Sequence, residues 1–308
     1  MMNQTPLSFP QSLKQGDTVR IVCTARSVVL SEILKAAEWI ENIGFKVEYG
    51  KTIGSVDHQF GGTDNERAED LQNAINDPHV KAIWCARGGY GTARILDMID
   101  FSALKKNPKW IIGFSDITAL HAALYNEGLI SMHAPMPINV NDTKENGASL
   151  KLMFSYLTGK YESIQWCKSD KDVQGIAKGN IVGGNLSVIY SLRGTKYDID
   201  TTDTILLLED IDEYLYHIDR MCVNFHIGGK FKNLAALISG QFTKMNDNTI
   251  NFGMTANEII ERYSNINQIN VRAFDAPFGH IDYNLPFLHG ASATIEVGKE
   301  KVKLSYNG

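Results

Sequence analysis

One pattern restricts the fold of this chain more than any other. Through the first ~135 residues, short and almost continuously apolar runs alternate with helix-periodic stretches. A strand covered on both faces has no solvent side and so reads as an unbroken apolar run, and strands joined through helices come out parallel. Residues 17–25, 45–49, 80–86 and the Trp110-Ile-Ile run read as such strands. Between them, residues 31–43 carry a helical stripe ended by Gly44. Thr63 stands three residues before Glu66, a capping-box spacing that opens a helix running to about Asn76, ahead of Pro78. Residues 92–99 read as another helix, and Ile117, Leu120, Ala123 and Leu124 recur as one face of a further one. Right-handed βαβ units follow, and with them an α/β domain over residues 1–135.

The alternation then loosens. Pro135, Pro137, a polar stretch at 139–147 and one helix-like segment at 149–157 read as a linker region over 136–170. Residues 171–308 read as a second, mixed domain. It has short glycine-separated β-like segments, helices at 186–192, 216–226 and 256–263, strands at 204–208, 235–239 and 271–274, and a closing hairpin at 294–304.

Composition narrows the class of function. The hydrophobic content of 44% supplies a core for each domain, and a net charge of -5 without runs of like charge argues against a nucleic-acid or membrane surface. Cys23, Cys85, Cys167 and Cys222 are scattered without CxxC spacing, which points to a reducing compartment. Residues 1–10 carry no leader-like pattern and no run of 18 apolar residues occurs, so the expectation is a cytoplasmic protein. Neither H-x-x-x-H nor H-E-x-x-H is present, so neither a metal nor a cofactor is expected.

Four stretches could carry chemistry. In Lys109-Trp-Ile-Ile-Gly-Phe-Ser115-Asp-Ile-Thr-Ala-Leu, a serine falls where a strand turns into a helix, either as a nucleophile beside unpaired N–H groups or simply as a helix cap. Arg87-Gly-Gly-Tyr-Gly91, also between strand and helix, reads as a tight turn or as a loop aiming N–H groups at a ligand. Its spacing does not satisfy the G-x-G-x-x-G of dinucleotide binding. Glu209 closes an apolar run and is the carboxylate nearest the strand, with Asp210, Asp212, Glu213 and Asp219 as competitors for orienting an imidazole. His280, in a glycine-containing loop after a strand, competes with seven other histidines.

Taken in order, Ala86-Arg-Gly-Gly-Tyr-Gly91, Gly113-Phe-Ser-Asp-Ile-Thr118, Gly183-Gly-Asn-Leu186 with Gly194-Thr195, Leu208-Glu-Asp210 with Glu213 and Ile218-Asp-Arg220, and Gly279-His280 with Leu285-Pro286 and Gly290 resemble the successive signatures of the LD-carboxypeptidase family of serine peptidases. The resemblance spans about residues 15–305. It implies an α/β fold with an N-terminal, parallel-sheet, Rossmann-like domain of the class I amidotransferase-like kind and a mixed α+β, β-rich C-terminal domain. It further implies a catalytic triad of Ser115, Glu209 and His280 and an oxyanion hole from the N–H groups of Gly89 and Asp116. Substrate contacts are expected at Arg87 and Gly88, because that glycine loop lies at the same sheet edge as Ser115, and the expected protein is a homodimer acting on a small peptide. Arg87 would grip a substrate carboxylate or else pair with an internal one and brace its loop. Ile117 stands where the α/β-hydrolase G-x-S-x-G elbow needs its second glycine, which disfavours that fold. The expected reaction is release of terminal D-alanine from murein tetrapeptides in peptidoglycan recycling. Two alternatives remain, a microcin C immunity-type peptidase cleaving a peptidyl or aminoacyl nucleotide amide, and a non-catalytic nucleotide- or sugar-binding module.

Overall fold

The structure, a computed structural model, describes residues 7–307; residues 1–6, part of the N-terminal stretch weighed above for a leader, lie outside them. The described chain divides into two compact units. One comprises residues 7–160 together with 285–289, and the other 161–284 with 290–307.

The first unit opens with β1 (Thr18–Val22), α1 (Leu34–Asn42), β2 (Lys46–Tyr49), α2 (Asp64–Asn76) and β3 (Val80–Cys85). It continues with α3 (Thr92–Ile95), α4 (Ser102–Lys106), β4 (Trp110–Gly113), α5 (Thr118–Asn126), β5 (Ser131–His133) and α6 (Lys144–Leu157). The strands β2, β1, β3, β4 and β5 lie side by side in that order, all parallel. Every residue of β4 is buried, as are five of the six in β3, which explains their unbroken apolar sequence. α2 starts where its capping box places it: Thr63 Oγ1 accepts from Glu66 N, and Glu66 Oε2 accepts from Thr63 N at 2.7 Å.

The second unit holds β6 (Ile164–Cys167), β7 (Gly175–Asn185), α7 (Leu186–Ser191), β8 (Ile205–Ile211), α8 (Leu215–Ile227), β9 (Ala236–Thr243), α9 (Ala256–Ile266) and β10 (Arg272–Ala273). After β11 (Phe287–His289) it closes with β12 (Ser292–Val297) and β13 (Lys301–Tyr306). Its seven strands run β10-β9-β8-β7-β12-β13-β6. β7 belongs to both halves of this sheet, pairing antiparallel with β12 over Gly175–Asn180 and parallel with β8 over Ile181–Asn185. β11 joins the first unit's sheet instead, antiparallel to β5.

Two differences from the sequence reading have physical causes. The stretch read as a linker over 136–170 contains α6, which begins at Lys144 because Thr143 Oγ1 caps Asn146 N, and β6; the two units divide at 160/161. The glycine-separated segments before residue 186 form one long strand, β7, because Gly183 and Gly184 adopt φ of 122° and 125° within it. Among the described residues no helix is long and apolar enough to cross a membrane.

Gly183 meets both demands that exclude a side chain: its φ is left-handed, and a β-carbon there would run into the Leu207 backbone of β8. Gly183→Ala should therefore destabilise the protein by roughly 3 kcal/mol, combining backbone strain with overpacking. Urea unfolding followed by circular dichroism would measure this; a loss under about 1 kcal/mol would contradict the account.

Candidate active site

In the first unit, Ser115 follows β4 with a backbone φ of 62°. A non-glycine residue there brings its β-carbon against the neighbouring carbonyl at a cost of about 1 kcal/mol, and such strain persists only where the surroundings over-determine it. Ser115 is not the cap of α5, whose capping position is Ile117; it opens the 3-10 turn Ser115–Ile117. Gly113 explains the missing second glycine of the hydrolase elbow. A β-carbon at 113 would lie 2.8 Å from Ile117 Cγ1, so this corner is packed by a buried isoleucine in contact with its first glycine.

The glycine loop after β3 packs directly on this corner. A β-carbon at Gly88 would sit 3.1 Å from Ser115 Cβ and 3.3 Å from both Ser115 Oγ and Asp116 N. Asp116 contributes its side chain as well as its backbone. The carboxylate is buried and accepts the Thr92 N–H at 2.8 Å where α3 begins, tying the Ser115 corner to the loop's far end. Burial raises the Asp116 pKa, with the Thr92 hydrogen bonds pulling the other way. A fully buried guanidinium, Arg67 of α2, braces the same loop by donating to Gly91 O at 3.0 Å, to Gly62 O at 3.3 Å and to Thr24 O, while pairing with Asp64. Among the described residues nothing accepts the N–H of Gly89 or of Asp116. Arg87 donates only at the limit of bonding, from Nη1 to Ser27 O at 3.5 Å, and no described carboxylate pairs with it.

In the second unit, β8 slips register against β9 between Leu208 and Asp210, and this irregularity buries two consecutive carboxylates. Their contacts separate the candidates that the sequence could not rank. Glu209 Oε2 lies 2.7 Å from His280 Nδ1. Asp210 accepts from Asn185 Nδ2 at 2.9 Å, from Ser187 N at 2.8 Å and from Ile211 N at 2.9 Å, which ties it to the start of α7. Glu213 bonds His217 at 2.5 Å, Asp212 takes Asn246 Nδ2, and Asp219 takes the Tyr263 hydroxyl. Gly279, at φ 115°, lets the His280 loop close over Glu209, since a β-carbon there would stand 2.8 Å from Glu209 Oε2. The Gly279 N–H is held by Asn284 Oδ1 at 2.9 Å.

Burial and charge compete at this pair. Desolvation opposes a charge on His280, but the Glu209 carboxylate, by its charge and hydrogen bond, outweighs it, and the imidazole pKa is raised. Asp210 is pushed up to about 7, first by burial and then by the negative charge of Glu209. With Nδ1 facing a carboxylate, the ring carries its proton there and presents Nε2 as the basic nitrogen.

Three of the remaining histidines are buried in structural surroundings. His121 is fully buried between Ser131 Oγ at 2.7 Å and Gly113 O at 2.9 Å, and burial lowers its pKa to about 4. His289 stacks on His121 with centroids 5.5 Å apart, and His133 stacks on Phe287. Sequence reasoning missed Arg67, Thr92 and the Asn185–Asp210 link. For Arg67 a signal existed, since it lies on the stripe of Leu71, Ala74 and Ile75 that α2 buries.

Residues 19–134 match the LD-carboxypeptidase N-terminal domain, and residues 178–295 match the LD-carboxypeptidase C-terminal domain. A probable murein peptide carboxypeptidase of Bacillus subtilis is 38% identical over 238 residues, covering 76% of this chain and 74% of the relative. The crystal structure of a muramoyltetrapeptide carboxypeptidase from Oxalobacter formigenes superposes with a TM-score of 0.84 at 26% identity, over 94% of this chain and 99% of the other. The microcin C7 self-immunity protein MccF shares the fold, with a TM-score of 0.87 at 21% identity over 98% of this chain and 99% of its own.

The pairing of His280 with Glu209 makes a prediction independent of any reaction. In Glu209→Gln the charge that offsets burial is gone, so the His280 pKa should fall from above 6.5 to below it. An NMR titration of the His280 ring proton would read this; an unchanged midpoint would show that Glu209 does not hold the imidazolium.

Proposed function

The chain belongs to the LD-carboxypeptidase family and is a serine-type hydrolase of that family, and we propose that it releases a terminal D-alanine from murein tetrapeptides by cleaving the amide between an L-centre and a D-residue. The observation that carries the reading is the left-handed Ser115, held against Gly88 with the Asp116 N–H beside it. A strained serine at a strand-to-turn corner, with unclaimed N–H groups next to it, is the arrangement that acyl transfer requires.

In this mechanism Ser115 Oγ attacks the scissile carbonyl carbon while His280 Nε2 takes its proton. Glu209 stabilises the imidazolium and holds the tautomer. Negative charge developing on the carbonyl oxygen is received by the N–H groups of Gly89 and Asp116. His280 then returns the proton to the departing amine of D-alanine. Water, deprotonated by the same imidazole, attacks the acyl-serine and releases the shortened peptide. Asp210 remains outside proton transfer, fixing β8 to the start of α7.

The substrate class rests on the relatives, whose names specify murein peptides. Recycling of wall fragments in the cytoplasm and a homodimeric state belong to the same reading. A cytoplasmic setting accords with four free cysteines, of which Cys23, Cys85 and Cys222 are buried, with thiol pKa values raised by burial.

Two outcomes follow. Ser115→Ala should fold normally and lose about 10⁴- to 10⁶-fold in turnover, His280→Ala nearly as much, and Glu209→Gln of the order of 10³- to 10⁴-fold. A Ser115→Ala variant keeping more than a tenth of wild-type kcat would remove the nucleophile assignment. Mass spectrometry of wild type incubated with a tetrapeptide ending in D-alanine, its L-alanine diastereomer and an aminoacyl sulfamoyl adenylate tests the substrate. Release from the first alone is expected, and cleavage of the adenylate alone would transfer the protein to the microcin-immunity type.

A further inference from the structure

A carboxypeptidase must recognise a carboxylate that lies three bonds from the carbonyl carbon it attacks. The recognising cation therefore has to stand within one side-chain length of the nucleophile. Ser115 follows β4, the glycine loop follows β3, and Thr24-Ala25-Arg26 follows β1. These are three neighbouring parallel strands, so their loops share the C-terminal edge where α/β sheets bind ligands.

Arg26 is joined to that loop by backbone and by side chain. Its N–H donates to Gly88 O at 3.4 Å, and its stem lies over Gly89, where a β-carbon would come 2.6 Å from Arg26 Cγ and closer still to Cδ. Gly89, at φ 103°, is thus the residue that lets this arginine cross the loop, and the preceding glycine is the one packed on Ser115. Arg26 itself is exposed.

The electrostatics of the unit single this position out. Three of its arginines are neutralised locally, Arg20 by Glu48 and Asp77, and Arg67 and Arg94 by Asp64. Arg26 and Arg87 have no carboxylate within ion-pair distance among the described residues, in a chain with 35 acidic side chains and a net charge of -5. The two unneutralised guanidiniums are the two beside the glycine loop. A guanidinium is the group best matched to a carboxylate, through paired N–H donors.

We propose that Arg26 is a specificity-determining residue that, together with Arg87, binds the free terminal carboxylate of the substrate and so restricts cleavage to the last residue of a peptide. This rests on the peptidase reading above and extends it by naming the group that distinguishes an exopeptidase from an amidase. Arg26 holds the carboxylate; Gly89 and Asp116 keep their N–H groups for the carbonyl oxygen.

The test uses Ser115→Ala as a non-turning-over trap. Calorimetry would compare a tetrapeptide ending in D-alanine as the free acid with the same peptide as its terminal carboxamide, in Ser115→Ala alone and combined with Arg26→Met or Arg26→Lys. Methionine keeps the stem over Gly89 and removes the charge. The trap should favour the acid by about tenfold or more, Arg26→Met should reduce that preference to under about threefold, and Arg26→Lys should restore part of it. A preference that survives Arg26→Met, equal binding of acid and carboxamide by the trap, or binding of neither would each overturn the assignment. Release of D-alanine by wild type is scored separately. Release with selectivity unaffected by Arg26→Met would leave the peptidase reading standing and remove Arg26. Acid-selective binding lost in Arg26→Met, without release, would do the reverse.

Discussion

Ser115 is held in a conformation that an L-residue adopts unwillingly, and much of the first unit is arranged to keep it there. The restraint comes from several directions. Ile117 packs against the face of Gly113, Gly88 packs on the serine itself, and the Asp116 carboxylate pins the start of α3 through Thr92 N. Arg67, wholly buried, closes the frame by binding carbonyls of Thr24, Gly62 and Gly91. A buried guanidinium leaves water at considerable cost and is tolerated only with its donors satisfied, which Arg67 achieves through three carbonyls and Asp64. The gain is rigidity at the glycine loop that packs on Ser115.

The second unit resolves a different conflict, since two adjacent carboxylates are buried on one strand. Burial, and then the neighbouring charge of Glu209, raise the Asp210 pKa, and the two carboxylates have different partners. Glu209 faces an imidazole that supplies the opposite charge. Asp210 faces an amide and backbone N–H groups, and titrates near neutrality. The irregularity in β8 makes this possible, because it changes the direction of a strand whose preceding residues are all apolar.

Much of this could be read before the structure, and the parts that could not share a cause. Strands β1, β3 and β4 declared themselves as apolar runs, and α2 by its capping box. The three-residue strands β5 and β11 are too short to show any period, and β11 joins a sheet built from residues more than 150 positions earlier. The single strand β7 was hidden by its own glycines, which break the propensity signal while permitting the close approach to β8. The carboxylate facing His280 could not be chosen among near neighbours, because 71 residues separate the pair and only strand register decides which oxygen arrives.

The chain's own order of residues determined what depends on neighbours within one or two turns. That includes where helices start, which runs are buried strands, that a serine stands at a corner after β4, and that glycines precede α3. Only the tertiary structure decided that Ser115 is left-handed instead of a helix cap, that Asp116 works through its side chain, that Glu209 and not Asp210 meets His280, and that Arg26 lies across Gly89 with no carboxylate among the described residues to neutralise it. The division follows from the range of the forces. Periodicity and capping are written in local sequence, whereas burial, pairing and the field at a charged group are sums over atoms that the chain brings together only when its strands have found their register.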